Sequence, residues 1–240
     1  MPATADAAAG APASQTLSRG IRILEVLAES REPMTIDDIA RALDVHRSIA
    51  YRLLRTLEHH GLVNRDPAGR VTLGARVATL AAGVAHDLQT EALPELTAIA
   101  NELGMTCFLA VLDRDECITL ASVEPRHAIA SVAQRPGARH PITRGAPSKA
   151  ILTMLPEAEW PVVADERLRL EVASTRARGY ATSSDEVIPT VQAIAVALEL
   201  RGVHRPAAIA VVHVGRVIDP DTVAARLQRS ADTIREALHG

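Results

Sequence analysis

The stretch from His46 to Gly61 limits what this chain can fold into more than any other. On a 3.6-residue period, Ile49, Ala50, Leu53, Leu54 and Leu57 gather on one side, and Ser48, Tyr51, Arg52, Arg55 and His59 on the other. The pattern predicts a single helix of about four turns, stopped by Gly61, a residue that takes positive φ without steric cost. One side requires a core. The other suits a nucleic-acid surface, because guanidinium groups bond phosphates or guanine edges and hydroxyls bond phosphate oxygens. An ordinary solvated helix face would look the same, so this stretch alone leaves both readings open.

The flanking residues separate the two readings. Ile21, Leu24, Val26, Leu27 and Ala28 predict a short amphipathic helix ending before Pro33. Thr35 and Asp38 form a capping-box pattern, with Asp38 in place of the usual Glu, for a helix burying Ile36, Ile39, Ala40 and Leu43. A tight turn at Leu43 to Val45 then leads into the cationic helix, which gives a helix-turn-helix whose second helix enters the major groove. Leu62 to Arg65 and Arg70 to Leu73 read as two short strands around Asp66-Pro67-Ala68-Gly69, a hairpin in the position of a wing.

Charge agrees with this placement. The chain of 240 residues has a net charge of −3, so any nucleic-acid surface is local. Between residues 46 and 70 the basic residues are Arg47, Arg52, Arg55, Arg65 and Arg70, against Glu58 and Asp66 alone. A hydrophobic content of 48% is ample for packed cores and argues against disorder of the whole. Residues 1–14, by contrast, are Ala, Pro and small polar types, and read as a mobile tail. No apolar run reaches the roughly 18 residues of a membrane span, and the N-terminus lacks a signal-peptide pattern, so the cytosol is the expected compartment and no membrane partner is expected.

Residues 75–89 are apolar at helical spacing through Val77, Leu80, Ala81, Val84 and Leu88. They suit a linker helix that pairs with its own copy, since palindromic sites need a two-fold reader; packing within one chain is the alternative. From residue 90 onward, a helix runs to Gly104 with Pro94 early in it. Met105 to Leu112 and Cys117 to Val123 form a hairpin, and His127 to Ala133 is a third strand candidate. Helices are expected around Ser148 to Leu155, Pro156 to Val163 and Leu168 to Arg178. Strands at Val191 to Leu200 and Ala207 to Val214 follow, and then a last helix with Asp219 at N-cap and Pro220 at N1. This order indicates an α+β domain with an antiparallel sheet.

Two groups of residues resemble motifs of the isocitrate lyase regulator (IclR) family of bacterial transcription factors. The first comprises Leu17-Ser18-Arg19, Arg52 to Leu57, Gly61-Leu62-Val63 and Leu73-Gly74. The second comprises Gly179, Ser183, Glu186, Ala193, Ile194, Ala195 and Leu198, with Glu199 and Leu200 departing from the aromatic-or-His then Asp-or-Asn ending. The resemblance implies a winged helix-turn-helix at 15–74, a dimerising linker at 75–89 and a GAF-like effector domain at 90–240. It also implies operator DNA and a small-molecule effector as partners of a homodimer or dimer of dimers. On this reading Arg52, Arg55, Ser48 and Tyr51 contact the major groove, Arg47 binds phosphate and Arg70 on the wing reaches the minor groove. Carried over by position, the effector pocket involves Ala146 and Ser148 of the loop Gly145 to Lys149, together with Ser183, Val191, Ala193, Ala210 and Val212.

The departures bear on the effector. Pro147 has no N–H where relatives offer a Gly-rich loop, and Ser183, Ala210 and Val212 stand where an aspartate and two serines are common. Apolar walls with few polar anchors favour a ligand bulkier or less polar than a two- or three-carbon acid, such as an aromatic acid. The loop at Gly145 to Lys149 is too short for a phosphate loop, and Lys149, the sole lysine, reads as solvated or as meeting a ligand anion. Cys107 and Cys117 lack metal or redox spacing and read as small buried hydrophobes. No metal and no cofactor is expected. Two rival classes are an enzyme merely docked on DNA and an effector-independent architectural protein. The absence of a nucleophile-base or metal set weighs against the first, and the acidic C-terminal part against the second.

Overall fold

The computed structural model describes residues 14–30, 32–81, 85–126, 132–200, 206–215 and 218–239. The tail reading lies outside them except for Ser14, and so do residues 127–131 of the third strand candidate and residues 201–205. Ser14 is the N-cap of the first helix, accepting from the Leu17 N–H at 3.4 Å. The chain divides into two compact units, Met1–Val84 and Ala85–Gly240.

The N-terminal unit has α1 (Gln15–Glu29), α2 (Ile36–Ala42), α3 (Arg47–His59), β1 (Val63–Arg65), β2 (Val71–Leu73) and α4 (Arg76–Ala81). Both halves of the capping box form: the Asp38 N–H donates to Thr35 Oγ1 and the Thr35 N–H to Asp38 Oδ2, each at 3.2 Å. Asp44 takes φ +51 in the turn that redirects the chain into α3. Ala50, Leu53, Leu54 and Leu57 of α3 are buried and Ile49 is half-buried. They close a core with Ile23, Leu27, Ile39, Val63 and Val71. On α1 the buried stripe is Gly20, Ile23 and Leu27, whereas Ile21 and Ala28 of the expected face are exposed. Two neighbouring stripes of that helix are apolar, and docking onto α3 selects the one carrying Ile23.

β1 and β2 pair antiparallel as the expected hairpin, each a residue shorter than its sequence pattern. Met34 adds a bridge on Val71, its N–H donating at 3.1 Å and its carbonyl accepting at 2.7 Å. Gly74 closes the wing against the end of α3. A Cβ there would lie 2.2 Å from the Gly61 carbonyl oxygen, so no larger residue fits.

The C-terminal unit has α5 (His86–Leu103), β3 (Thr106–Asp113), β4 (Glu116–Val123), β5 (Arg139–Pro141), α6 (Ala146–Leu152), α7 (Glu166–Arg178), β6 (Ala181–Ser184), β7 (Val191–Leu198), β8 (Ala207–Val214) and α8 (Pro220–His239). The sheet order is β5-β4-β3-β8-β7-β6, every pair antiparallel. One face packs Ile194, Ile209 and Val211 against Leu96 and Ile99 of α5 and Leu227 and Ile234 of α8. The other packs Phe108, Ala193, Ala210 and Val212 against Ile151 and Leu152 of α6 and Leu168 and Val172 of α7.

Three expectations need correction here. The linker does not run as one helix to Leu88: α4 spans Arg76–Ala81, Ala85 is left-handed at φ +48, and Leu88 is buried in the C-terminal core. Pro94 therefore lies inside α5 and not near its start. Pro156 to Val163 provides only a single 3-10 turn at Glu157–Glu159, because Trp160 leaves the helix with its indole N–H bonded to the Leu155 carbonyl. The remaining helix boundaries move by two or three residues, with Asp165 capping α7 through the Leu168 N–H at 2.8 Å.

Candidate DNA-reading helix and effector cavity

The polar face of α3 is organised by its first turn. The His46 ring accepts from the Ser48 N–H at 3.3 Å and meets Ser48 Oγ at 2.9 Å, so Ser48 is engaged in capping. Arg47 forms a close ion pair with Asp37 of α2. Tyr51 is 43% exposed and lies under the Arg65 guanidinium, 5.6 Å from the ring centroid. Arg52 and Arg55 are exposed and have no ion pair among the described residues. On the wing, Arg70 is held by Asp66: its Nε donates to Oδ2 at 2.9 Å and its N–H to Oδ1 at 2.8 Å. That backbone bond is the main reason the Asp66 carboxyl lies below the ordinary range.

All six residues assigned to DNA thus share the α3–wing surface, but not on equal terms. Arg52 and Arg55 are available as they stand, whereas Arg47 and Arg70 are neutralised by Asp37 and Asp66. Spacing along a helix could not reveal this, because Asp37 belongs to the preceding helix.

The C-terminal unit holds a small cavity of about 40 Å³ on the sheet face beneath α6. Its walls are largely apolar: Phe108 of β3, Val191 and Ala193 of β7, Val212 of β8, and Val187 and Ile188 of the loop that joins β6 to β7. Ser183, His140 and Gln134 add polar groups. Ser183 Oγ accepts from the Ala146 N–H at 3.0 Å and keeps its own hydrogen to donate. His140 Nε2 meets Ser148 Oγ at 3.2 Å. Burial holds the His140 imidazole below its ordinary pKa, opposed by the nearby Glu186 carboxylate.

The covering loop is under tension. Asp185 and Thr190 at its two ends take φ +59 and +68, an uncommon conformation for any side-chain-bearing residue and more so for β-branched Thr. The Thr190 N–H donates to Asp185 Oδ1 at 2.6 Å and the Asp185 N–H to the Val191 carbonyl at 3.1 Å, which holds both ends in place. Such strain persists only where surrounding contacts enforce it.

Of the seven effector residues assigned by position, Ser183, Val191, Ala193 and Val212 line the cavity. Ala146, Ser148 and Ala210 are fully buried behind it, Ser148 bonded to His140 and Ala210 opposite Phe108. The sequence does not single out Phe108, His140, Val187 and Ile188 for this cavity. Phe108 sits in a run apolar on both faces, which carries no period-2 signal to tell which side chains face the cavity.

Lys149 corrects a sequence expectation. It is not solvated: its side chain is 4% exposed, with Nζ 2.5 Å from Glu186 Oε1 and 3.0 Å from Glu171 Oε2. Glu186 also accepts from the Gly145 N–H at 2.8 Å, and Arg167 bonds Glu171 at 2.9 Å. Burial pushes the Glu171 carboxyl up, but hydrogen bonds from Arg167 and Lys149 outweigh it and leave the group below its ordinary pKa. Lys149 is therefore a strut that ties α6 to α7 and to the loop after β6. Both cysteines are buried; burial pushes the Cys117 thiol up to about 12, which keeps it protonated and inert.

A helix-turn-helix joined in sequence to an antiparallel α+β domain is what the comparisons with known proteins also find. The profile described as the IclR helix-turn-helix domain matches residues 16–67, and that of the bacterial transcriptional regulator IclR C-terminal domain matches residues 81–236. The chain belongs to the IclR family. It is a ligand-responsive, DNA-binding transcriptional regulator. The HTH-type transcriptional regulator XynR of Escherichia coli is 28% identical over 204 residues, 77% of this chain and 80% of that protein. The transcriptional repressor IclR of the same organism is 28% identical over 203 residues, 75% and 74% of the two chains. An IclR regulator from Alicyclobacillus acidocaldarius superposes with a TM-score of 0.81 at 25% identity, covering 93% of this chain and 98% of its own. An IclR homologue from Microbacterium hydrocarbonoxydans, solved with 4-hydroxybenzoate, gives 0.79 at 25% identity, covering 93% and 99%. Among the described residues no helix is long and apolar enough to cross a membrane.

Proposed function

We propose that this IclR-family regulator reads an operator through Arg52, Arg55, Tyr51 and Ser48 of α3, with Arg47 and Arg70 binding phosphate and minor groove once released from Asp37 and Asp66. It acts in the cytoplasm as a homodimer or dimer of dimers, by binding alone and without catalysis. An organic acid with an apolar, aromatic body is the effector, and it sets the spacing of the two recognition helices by favouring one dimer arrangement. The observation that carries the effector class is the cavity wall of Phe108, Val187, Ile188, Val191 and Val212, where Ser183, His140 and Gln134 are the polar side chains among the described residues. The 4-hydroxybenzoate held by the Microbacterium relative supports the same class. Leu80 on α4, 63% exposed, supports a partner chain there.

At about 40 Å³ the cavity is far below the roughly 300 Å³ and more of most ligand pockets. Ligand entry therefore displaces Val187 and Ile188, and relaxation of the strained loop ends offsets part of that cost. A thermal-shift screen of organic acids tests the class, since a ligand at 100 times its Kd adds about 2.7 kcal/mol of stability. Aromatic and long-chain acids should raise Tm. Tight binding of glyoxylate or pyruvate, with no response to larger apolar acids, would sink the proposed effector.

Arg52→Ala should weaken operator binding by about 1 to 3 kcal/mol and relax base preference at one position. An equal loss on operator and random duplexes, measured by fluorescence anisotropy, would reassign Arg52 to phosphate. Arg47→Ala and Arg70→Ala should cost less, since each arginine gives up an ion pair to reach DNA.

A further inference from the structure

Among the described residues, two hydroxyls on the cavity face of the sheet have no hydrogen-bond partner: Thr106 Oγ1 and Ser122 Oγ, both out of reach of solvent. Thr106 is 0% exposed. A buried hydroxyl left unpaired carries a desolvation penalty, so each such group calls for an explanation. The strand register shows where they lie. Ser183 pairs with Ala193, Ala193 with Val212, and Val212 with Thr106, which makes one row across β6, β7, β8 and β3. Residues directly opposite one another share a face of the sheet. The first three members of this row line the cavity, and Thr106 is the fourth. In the adjacent row, Ser122 stands opposite Phe108, itself a cavity residue. The row therefore begins at a hydroxyl anchored on α6, crosses an apolar floor of Ala193 and Val212, and ends at Thr106, with Ser122 beside it in the adjacent row.

Building on the effector reading above, we infer that Thr106 and Ser122 form a distal polar subsite, and that the effector carries a second hydrogen-bonding group, at the end of its apolar body opposite the acid. Both hydroxyls can donate and accept, so a ligand hydroxyl or carbonyl satisfies them. Length narrows the class further. Three strand spacings put Ser183 and Thr106 about 14 Å apart, and a hydrogen bond at each end leaves about 9 Å for the ligand. A carboxylate attached directly to a phenol ring is too short to bridge that gap. A hydroxyaryl alkanoate with a two-carbon spacer matches it.

The test uses the full-length protein and two ligand pairs. Wild type should bind 3-(4-hydroxyphenyl)propanoate about tenfold more tightly than 3-phenylpropanoate, and the Thr106→Val, Ser122→Ala double variant should bind the two alike. Equal affinities in wild type, or a preference that survives in the double variant, would overturn the subsite. The second pair, 4-methylphenol against toluene, removes the carboxylate. If neither acid binds but the phenol is preferred in wild type alone, the acid reading fails and the subsite stands. No preference within either pair counts against the subsite. Without ligand, Ser122→Ala should raise Tm by a few degrees despite the poorer strand propensity of alanine, because an unpartnered hydroxyl is removed. A fall in Tm would show that Ser122 is bonded within the protein and would also overturn the proposal.

Discussion

Lys149→Ala is expected to destabilise the C-terminal unit by about 3 to 5 kcal/mol, the usual consequence of removing one member of a buried ion pair. Lys149 sits between Glu186 and Glu171 with 4% of its side chain exposed, and Glu186 is only 13% exposed. Deleting the ammonium strands Glu186 beside the Gly145 N–H without a close cation, since Arg167 lies 4.0 Å away and is already bonded to Glu171. Adding Glu186→Gln to the lysine variant removes that uncompensated charge and should recover part of the loss, which a double-mutant cycle in urea would quantify. A Lys149→Ala effect below about 1 kcal/mol would mean that solvent screens the cluster far more than its burial implies. Effector binding should fall as well, because the same cluster anchors the loop carrying Val187 and Ile188.

The second large effect belongs to the other unit. Leu54→Ala removes a side chain that is 0% exposed at the centre of α1, α2, α3 and the wing, at a cost of about 2 to 5 kcal/mol. In a small unit with about 5 to 15 kcal/mol in total, this leaves α3 poorly seated. Operator affinity should drop further than for Arg52→Ala, although Leu54 touches no DNA. Ligand binding by the C-terminal unit, followed by calorimetry on the same variant, should stay at the wild-type level. Operator affinity equal to wild type would show that the core under α3 tolerates the cavity.

Local pattern carried a great deal of this protein. The winged helix-turn-helix was readable because each of its signals is short-range: the Thr35–Asp38 box, the two faces of α3, and the Pro67–Gly69 turn all lie within a few residues. The antiparallel sheet was legible as long apolar runs, but which residues of β3 faced the cavity was not, because both faces of that sheet are covered. The linker failed as a single helix because apolar periodicity continues smoothly through Leu80 and Leu88, whereas Leu88 is claimed by the core of α5 and α8. Of the residues carried over by family resemblance, Ser183, Val191, Ala193 and Val212 line the cavity, whereas Ala146, Ser148 and Ala210 are buried without lining it.

By itself the sequence determined the recognition helix, since amphipathic spacing and capping are set by neighbours three or four residues away. Only the tertiary structure decided which arginines of that surface are free, because Asp37 reaches Arg47 from another helix. It alone turned Lys149 from a solvated cation into a buried strut, because Glu171 and Glu186 lie more than twenty residues further along the chain. It also set Thr106 in one row with Val212, because the register of β3 on β8, about a hundred residues further along the chain, is fixed by side-chain packing and not by local propensity.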